Sequence, residues 1–236
     1  MATKKEQETL QGDSYFYRPE QVVLAGFSRY DKLESNTKKL VTIALTWRGD
    51  LSGKILRNCI HEPKPGFEES QYYKTRWGFW RLVGLRGFFR HSGMSTNFSA
   101  TRLLLATSLF LKAESDCVSL LPQSEADYSK IFAESAIFIT DFSSTAFDFA
   151  YLGKPLIYFQ FDELTQYELG WFNYERDGFG PVKKTVDEVI DYIELLLKRS
   201  CQVEDIYAER IDKFFDYHDH DNCKRILDAT LPGELR

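Results

Sequence analysis

The sequence predicts an α/β fold, a parallel sheet flanked by helices, and three observations carry that prediction. Short apolar runs alternate with segments of helical period, the order that builds parallel sheets. The stretch from Ala136 to Ala150 shows the unit in full: an apolar run breaks into a small polar turn and then resumes with helical spacing. A hydrophobic content of 43% and aromatics of 15% over 236 residues supply enough apolar mass for a folded core.

Taken in order, residues 1–21 read as a polar segment, frayed or partly helical, because nothing in them repeats with an apolar period. Residues 22–236 read as one α/β domain. Val22–Ala25 suggests a short strand, followed by a charged turn from Gly26 to Leu33. Leu40–Leu45 is rich in β-branched and aliphatic residues, suits a buried strand, and ends at Thr46-Trp47-Arg48. Gly49–Gly66 is a loop with Pro63 and Pro65, and a helix with aromatics on one side begins at Phe67. Asp116–Leu120 reads as a strand. Tyr128, Ile131 and Phe132 stand at i, i+3 and i+4 of the next helix. Ala136–Ile139 is short and uniformly apolar, as a doubly covered strand should be. Gly153-Lys154 stops the following helix, and Pro155–Phe159 forms another strand. Thr185 with Glu188 three residues on is a capping box that opens a helix with Val186, Val189, Ile190 and Ile193 on one face. A last pair of helices is expected, one from Val203 to Phe215 with Ile206, Ile211 and Phe215 turned inward, the other carrying Arg225.

The totals exclude several classes. A net charge of -5 gives no support to a nucleic-acid binder, which normally carries a basic face. Cys59, Cys117, Cys201 and Cys223 lack CxxC spacing, so neither a zinc site nor a disulfide framework is expected, and a reducing, cytoplasmic setting fits. The amino terminus shows no apolar signal region, and no run approaches the roughly 18 apolar residues of a spanning helix, so any membrane association is expected to be peripheral. Asp216-Tyr217-His218-Asp219-His220-Asp221-Asn222 contains metal-ligand types, but between two helices it reads better as a cap, with Asp219, Asp221 and Asn222 serving the last helix.

The candidate site is the turn Thr140 to Ser144. Residues of N-cap type there leave the backbone N–H groups of the next helix pointing beyond the strand, a setting that receives phosphate. Ser143 and Ser144 would supply hydroxyl and backbone donors, with Thr140 beside them. Asp141 cannot bind phosphate and is assigned to turn geometry or to a hydroxyl of a ligand. Arg48 follows the end of another strand, where ligands of open α/β sheets sit, and would add a fork of cationic donors. On the residues alone, a capped helix in an ordinary α/β domain and a surface arginine at a loop start are the competing readings. Asp148, farther into the helix, is read as structural.

The run Thr140 to Asp162, followed by Gly178-Phe179-Gly180-Pro181, closely resembles the CDP-glycerol glycerophosphotransferases that polymerise teichoic acid. The Gly26–Leu33 segment and Thr46-Trp47-Arg48 are similar to family segments as well. The resemblance implies a Rossmann-like domain, similar to the C-terminal, donor-binding domain of a GT-B glycosyltransferase fold. It implies transfer of glycerol phosphate, or a related polyol phosphate, from a CDP-alcohol to a teichoic acid or capsular acceptor, without a cofactor, at the inner face of a bacterial cell membrane. Arg48, Thr140, Asp141, Ser143 and Ser144 would then bind the donor's diphosphate and nucleotide. Residues 76–112 are atypical for the family, whose His-Pro pair does not occur in this chain, and they suggest local replacement or a shifted reading frame. His91 is the histidine that could stand in as catalytic base. The family's acceptor-side domain precedes the segment matched here, so the alternative reading is a non-catalytic, CDP-alcohol-binding remnant or partner domain.

Overall fold

The computed structural model describes residues 1–13, 15, 17–46, 48–55, 61–85, 95–100, 118–122, 127–162 and 172–231; side chains at 55, 61, 77, 80–85, 95–100 and 118–122 are left aside. The strands are β1 (Leu40–Ile43), β2 (Ser52–Ile55), β3 (His61–Pro63), β4 (Ser95–Ala100), β5 (Val118–Pro122), β6 (Ile137–Thr140), β7 (Leu156–Phe159) and β8 (Val182–Lys183). The helices are α1 (Lys4–Gln11), α2 (Gln71–Leu85), α3 (Tyr128–Glu134), α4 (Thr145–Tyr151), α5 (Tyr174–Asp177), α6 (Val186–Lys198), α7 (Asp205–Phe214) and α8 (Asn222–Thr230).

Six strands form one parallel sheet in the order β5-β4-β1-β6-β7-β8, and β2 pairs with β3 in a separate antiparallel ribbon. The chain builds outward from β1 through β4 to β5, then returns to the other side of β1 and builds outward again from β6. That is the doubly wound Rossmann order, and its switch point lies between β1 and β6.

Side-chain alternation along the strands divides the core into two layers. Val41, Ile43, Ile137, Ile139, Ile157 and Phe159 face Tyr72 and Phe79 of α2 and Val189, Ile193 and Leu196 of α6. Phe138, Leu156 and Tyr158 face the opposite way, against Ile131 and Phe132 of α3, Ala146, Phe149 and Ala150 of α4, and Ile211 of α7. Burial on both faces is what makes these strands uniformly apolar rather than alternating. Burying each large side chain fully is worth about 1.5–3 kcal/mol.

Local signals act as read. Thr185 Oγ1 accepts from Glu188 N while the Glu188 carboxylate accepts from Thr185 N, closing the capping box of α6. Gly153, at φ +64°, takes the left-handed conformation that ends α4. Lys154 then turns its ammonium onto the carbonyls of Phe132, Ala133 and Ser135 at 2.8, 2.6 and 3.1 Å, capping α3 from outside.

Two expectations change, and one open alternative is decided. Val22–Ala25 is not a strand: the amides of Ala25 and Gly26 donate to Met1 O, and the Met1 amino group donates to Val23 O, so these groups are satisfied by the amino terminus. Of the two readings of the polar N-terminal segment, the partly helical one holds: α1 is formed, and Ala2 joins the core. In α7, Ile206 faces solvent at 55% exposure, whereas Ile211 and Phe215 are buried as expected.

Candidate functional site

The crevice at the switch point is bounded by the segments that leave β1 and β6 at their carboxyl ends. Thr140, the last residue of β6, is buried, and its hydroxyl donates to Ala44 O at 2.7 Å, tying the two strand ends together. Asp141 is also buried. Its Oδ1 accepts from the backbone amides of Thr46 (2.8 Å) and Phe142 (2.7 Å), and its Oδ2 accepts from Arg48 Nη1 at 2.8 Å. Asp141 thus serves turn geometry, one of its two expected roles, with both carboxylate oxygens engaged by protein.

Arg48 lies where expected along the chain, but its side chain folds back into the protein and is only 3% exposed. Nε and Nη2 grip both oxygens of Asp162 at 2.8 and 2.7 Å, while Nη1 bonds Asp141 and the Thr46 carbonyl. The guanidinium carbon is 5.0 Å from the ring centre of Tyr72 and 5.4 Å from that of Phe161. Desolvation alone would lower the Arg48 pKa, but the bonds to Asp162 and Asp141 outweigh it and raise it further above its ordinary value. Two carboxylates against one guanidinium leave this buried group with one net negative charge.

Ser143 and Ser144 lie at the open end of the turn. The Ser143 hydroxyl, half-buried, stands 2.7 Å from Thr145 Oγ1 and accepts from Thr145 N at 3.3 Å. Ser144 is exposed, has helical dihedrals, and makes no side-chain cap bond. Thr46 Oγ1, three residues past the end of β1, is buried and has no hydrogen-bond partner among the described residues. The turn therefore offers three hydroxyls, on Ser143, Ser144 and Thr145, while Thr140, Asp141 and Arg48 form the frame behind it.

His91 and residues 86–94 around it lie outside the described residues, as does Trp47. Asp148 is paired with Arg29: Nε donates to Asp148 Oδ1 at 2.9 Å, and Nη2 makes an ion pair with the same oxygen at 2.8 Å. In the acidic segment before α8, Asp221 occupies the N-cap position without a side-chain cap bond. The cap comes instead from Asp31, which accepts from the amides of Asn222 (2.9 Å) and Cys223 (2.7 Å), while Asp219 pairs with Arg225 at 2.7 Å. A distant residue outcompeted the local ones because its carboxylate reaches two amides at once.

Sequence reasoning missed Asp162, Tyr72 and Phe161 as members of the site. The one available signal was Asp162 itself, an acid just past a strand end and inside the run that carries the family resemblance.

Comparison with known proteins agrees with this architecture. The family model described as CDP-glycerol:poly(glycerophosphate) glycerophosphotransferase matches residues 100–231, over half of the chain. The minor teichoic acid biosynthesis protein GgaB of Bacillus subtilis (strain 168) is 31% identical over 232 residues, 98% of this chain and 26% of GgaB. That aligned span takes in the atypical residues 76–112. A teichoic acid poly(glycerol phosphate) polymerase of the same organism is 26% identical over 111 residues, 46% of this chain and 15% of the polymerase. Among solved structures, the wall teichoic acid polymerase TagF superposes with a TM-score of 0.64 at 19% identity, covering 97% of this chain and 55% of that one. A UDP-N-acetylglucosamine 2-epimerase from Listeria monocytogenes superposes with a TM-score of 0.58 at 13% identity, covering 97% and 57%. These neighbours place the fold among GT-B-like domains. The chain spans about a quarter of GgaB and just over half of the TagF structure. It belongs to the CDP-glycerol:poly(glycerophosphate) glycerophosphotransferase family.

Proposed function

We propose that this chain forms the donor side of a glycerophosphotransferase, binding a CDP-activated polyol, CDP-glycerol or a close relative, for transfer of its polyol phosphate to a teichoic acid or capsular acceptor. The observation that carries this reading is the set of hydroxyls on Ser143, Ser144 and Thr145 at the switch-point crevice of a family member. In the reaction, an acceptor hydroxyl oxygen attacks the phosphorus that bears the polyol. The bond from that phosphorus to the bridging oxygen of the diphosphate breaks, CMP leaves with the electron pair, and the hydroxyl proton passes to a base. Such transfer depends mainly on positioning and on offsetting charge. Ser143 and Ser144 would hold the diphosphate, with Thr140, Asp141 and Arg48 keeping the turn in shape. The role of base is assigned to no described residue.

The same reading implies a peripheral position at the inner face of the cell membrane, beside the growing polymer. Among the described residues no helix is long and apolar enough to cross a membrane. Work with a separate acceptor-side domain belongs to this reading too.

Calorimetric titration with CDP-glycerol and with CDP tests it. Binding that favours CDP-glycerol and weakens by about tenfold or more in a Ser143→Ala, Ser144→Ala double variant is the expected result. A folded wild-type chain that binds neither nucleotide would overturn the reading.

A further inference from the structure

A diphosphate brings negative charge to the crevice, and the guanidinium framing that crevice has none to spare. Arg48 is gripped by Asp141 and Asp162, and the three groups together carry a net negative charge. A second arginine, from the N-terminal part of the chain, pairs with the helix that follows the donor turn. Arg29 lies in the short 3-10 turn Ser28–Lys32, and Asp148 of α4 holds it by a hydrogen bond from Nε to Oδ1 at 2.9 Å, with Nη2 in ion-pair contact with the same oxygen at 2.8 Å. Its guanidinium carbon lies 4.4 Å from the ring centre of Phe27 and 5.1 Å from that of Tyr30, so the plane is braced by aromatic rings. Asp148 contacts the Nε and Nη2 side of the group, and 52% of the Arg29 side chain is open to solvent.

Helical geometry relates this pair to the turn. Asp148 follows Ser144 by four residues and Thr145 by three, and Ser144 already has helical dihedrals (φ -64°, ψ -15°), so the three share one face. Side chains on a helix lean toward its N-terminus, which tilts Asp148 and the guanidinium it holds toward Ser144. An arginine held along one edge presents its other edge as a planar fork, the geometry that suits phosphate oxygens.

We infer that Arg29 is the cationic residue of the donor site: it binds a phosphate oxygen of the CDP-activated donor, with Asp148 as the positioning residue that holds it there. The inference rests on the donor reading above and adds a residue to that site.

The test is calorimetric titration of CDP into the whole chain at several salt concentrations, for wild type, Arg29→Gln, Arg29→Lys and Asp148→Asn, each checked by thermal melting. The expected result is a loss of about tenfold or more in CDP affinity for Arg29→Gln, together with a shallower dependence of affinity on salt. Arg29→Lys recovers part of the affinity and the full salt slope, since it keeps the charge and loses the fork. Asp148→Asn weakens binding less than Arg29→Gln and keeps the salt slope. Wild-type affinity and salt slope in Arg29→Gln, with the Ser143→Ala, Ser144→Ala variant impaired, would overturn this inference and leave the donor reading standing. A folded wild type that binds neither CDP nor CDP-glycerol would overturn both. If Arg29→Gln fails to fold, Arg29→Lys decides, because wild-type affinity there contradicts a fork on phosphate.

Discussion

Arg48 and Asp162 meet edge to edge, with two parallel hydrogen bonds of 2.8 and 2.7 Å, and through this pair the segments beyond β1 and β7 are joined across the end of β6. Asp141, the residue that follows β6, completes the group. Three adjacent parallel strands are thus clamped at their carboxyl ends by one guanidinium.

Removing the cation from this group leaves two carboxylates with no counter-charge, one of them fully buried. Arg48→Met is expected to destabilise the fold by roughly 3–5 kcal/mol, measured by urea unfolding. Asp162→Asn should cost clearly less, because Arg48 still neutralises Asp141 and the amide oxygen still accepts. Equal losses in the two variants would count against the clamp.

Lys154 has its pKa lowered by burial, from 10.5 to about 8. Between those values the unfolded chain binds more protons than the folded one, so stability rises with pH across that window and is flat below it. Lys154→Met should remove this rise. At neutral pH it should also cost roughly 1–3 kcal/mol, because three carbonyls at the end of α3 lose their donor. Denaturant midpoints collected from pH 7 to 11 check both parts.

For Asp31, desolvation pulls the pKa upward, but the bonds from Cys223 and Asn222 outweigh it and hold the carboxyl at about 2, against an ordinary 3.8. Its contribution is therefore fully present above pH 3.8 and is lost as pH falls through 2. Asp31→Ala is expected to lower the thermal midpoint at neutral pH and to make no difference once acid has protonated the wild-type carboxyl. A midpoint shift that persists unchanged into acid would assign the effect to something other than the cap of α8.

Gly180 lets β8 approach β7. A Cβ at this position would stand 1.9 Å from the backbone oxygen of Leu156, an atom that cannot move without shifting the sheet. Gly180→Ala should cost about 1–3 kcal/mol or more, whereas Gly49→Ala, where a Cβ meets nothing within 4 Å, should be close to neutral. Parallel thermal melts of the two variants compare them directly.

The strands at Leu40–Leu45, Ala136–Ile139 and Pro155–Phe159, the Thr185–Glu188 box and the helix stop at Gly153 were legible in the sequence. Each depends on residues within a few positions of one another, where periodicity and cap chemistry act. The turn from Thr140 to Ser144 was legible for the same reason. Only tertiary structure decided how its charges are used. Arg48 reads as a donor to ligand until Asp162, 114 residues later, closes on it, and Asp31 caps a helix 191 residues away. Both outcomes come from competition between long-range partners for a few polar groups, and a carboxylate satisfying two donors at once prevails over local candidates. The sheet order set that competition, because bringing β1, β6 and β7 side by side is what places Arg48, Asp141 and Asp162 within bonding distance.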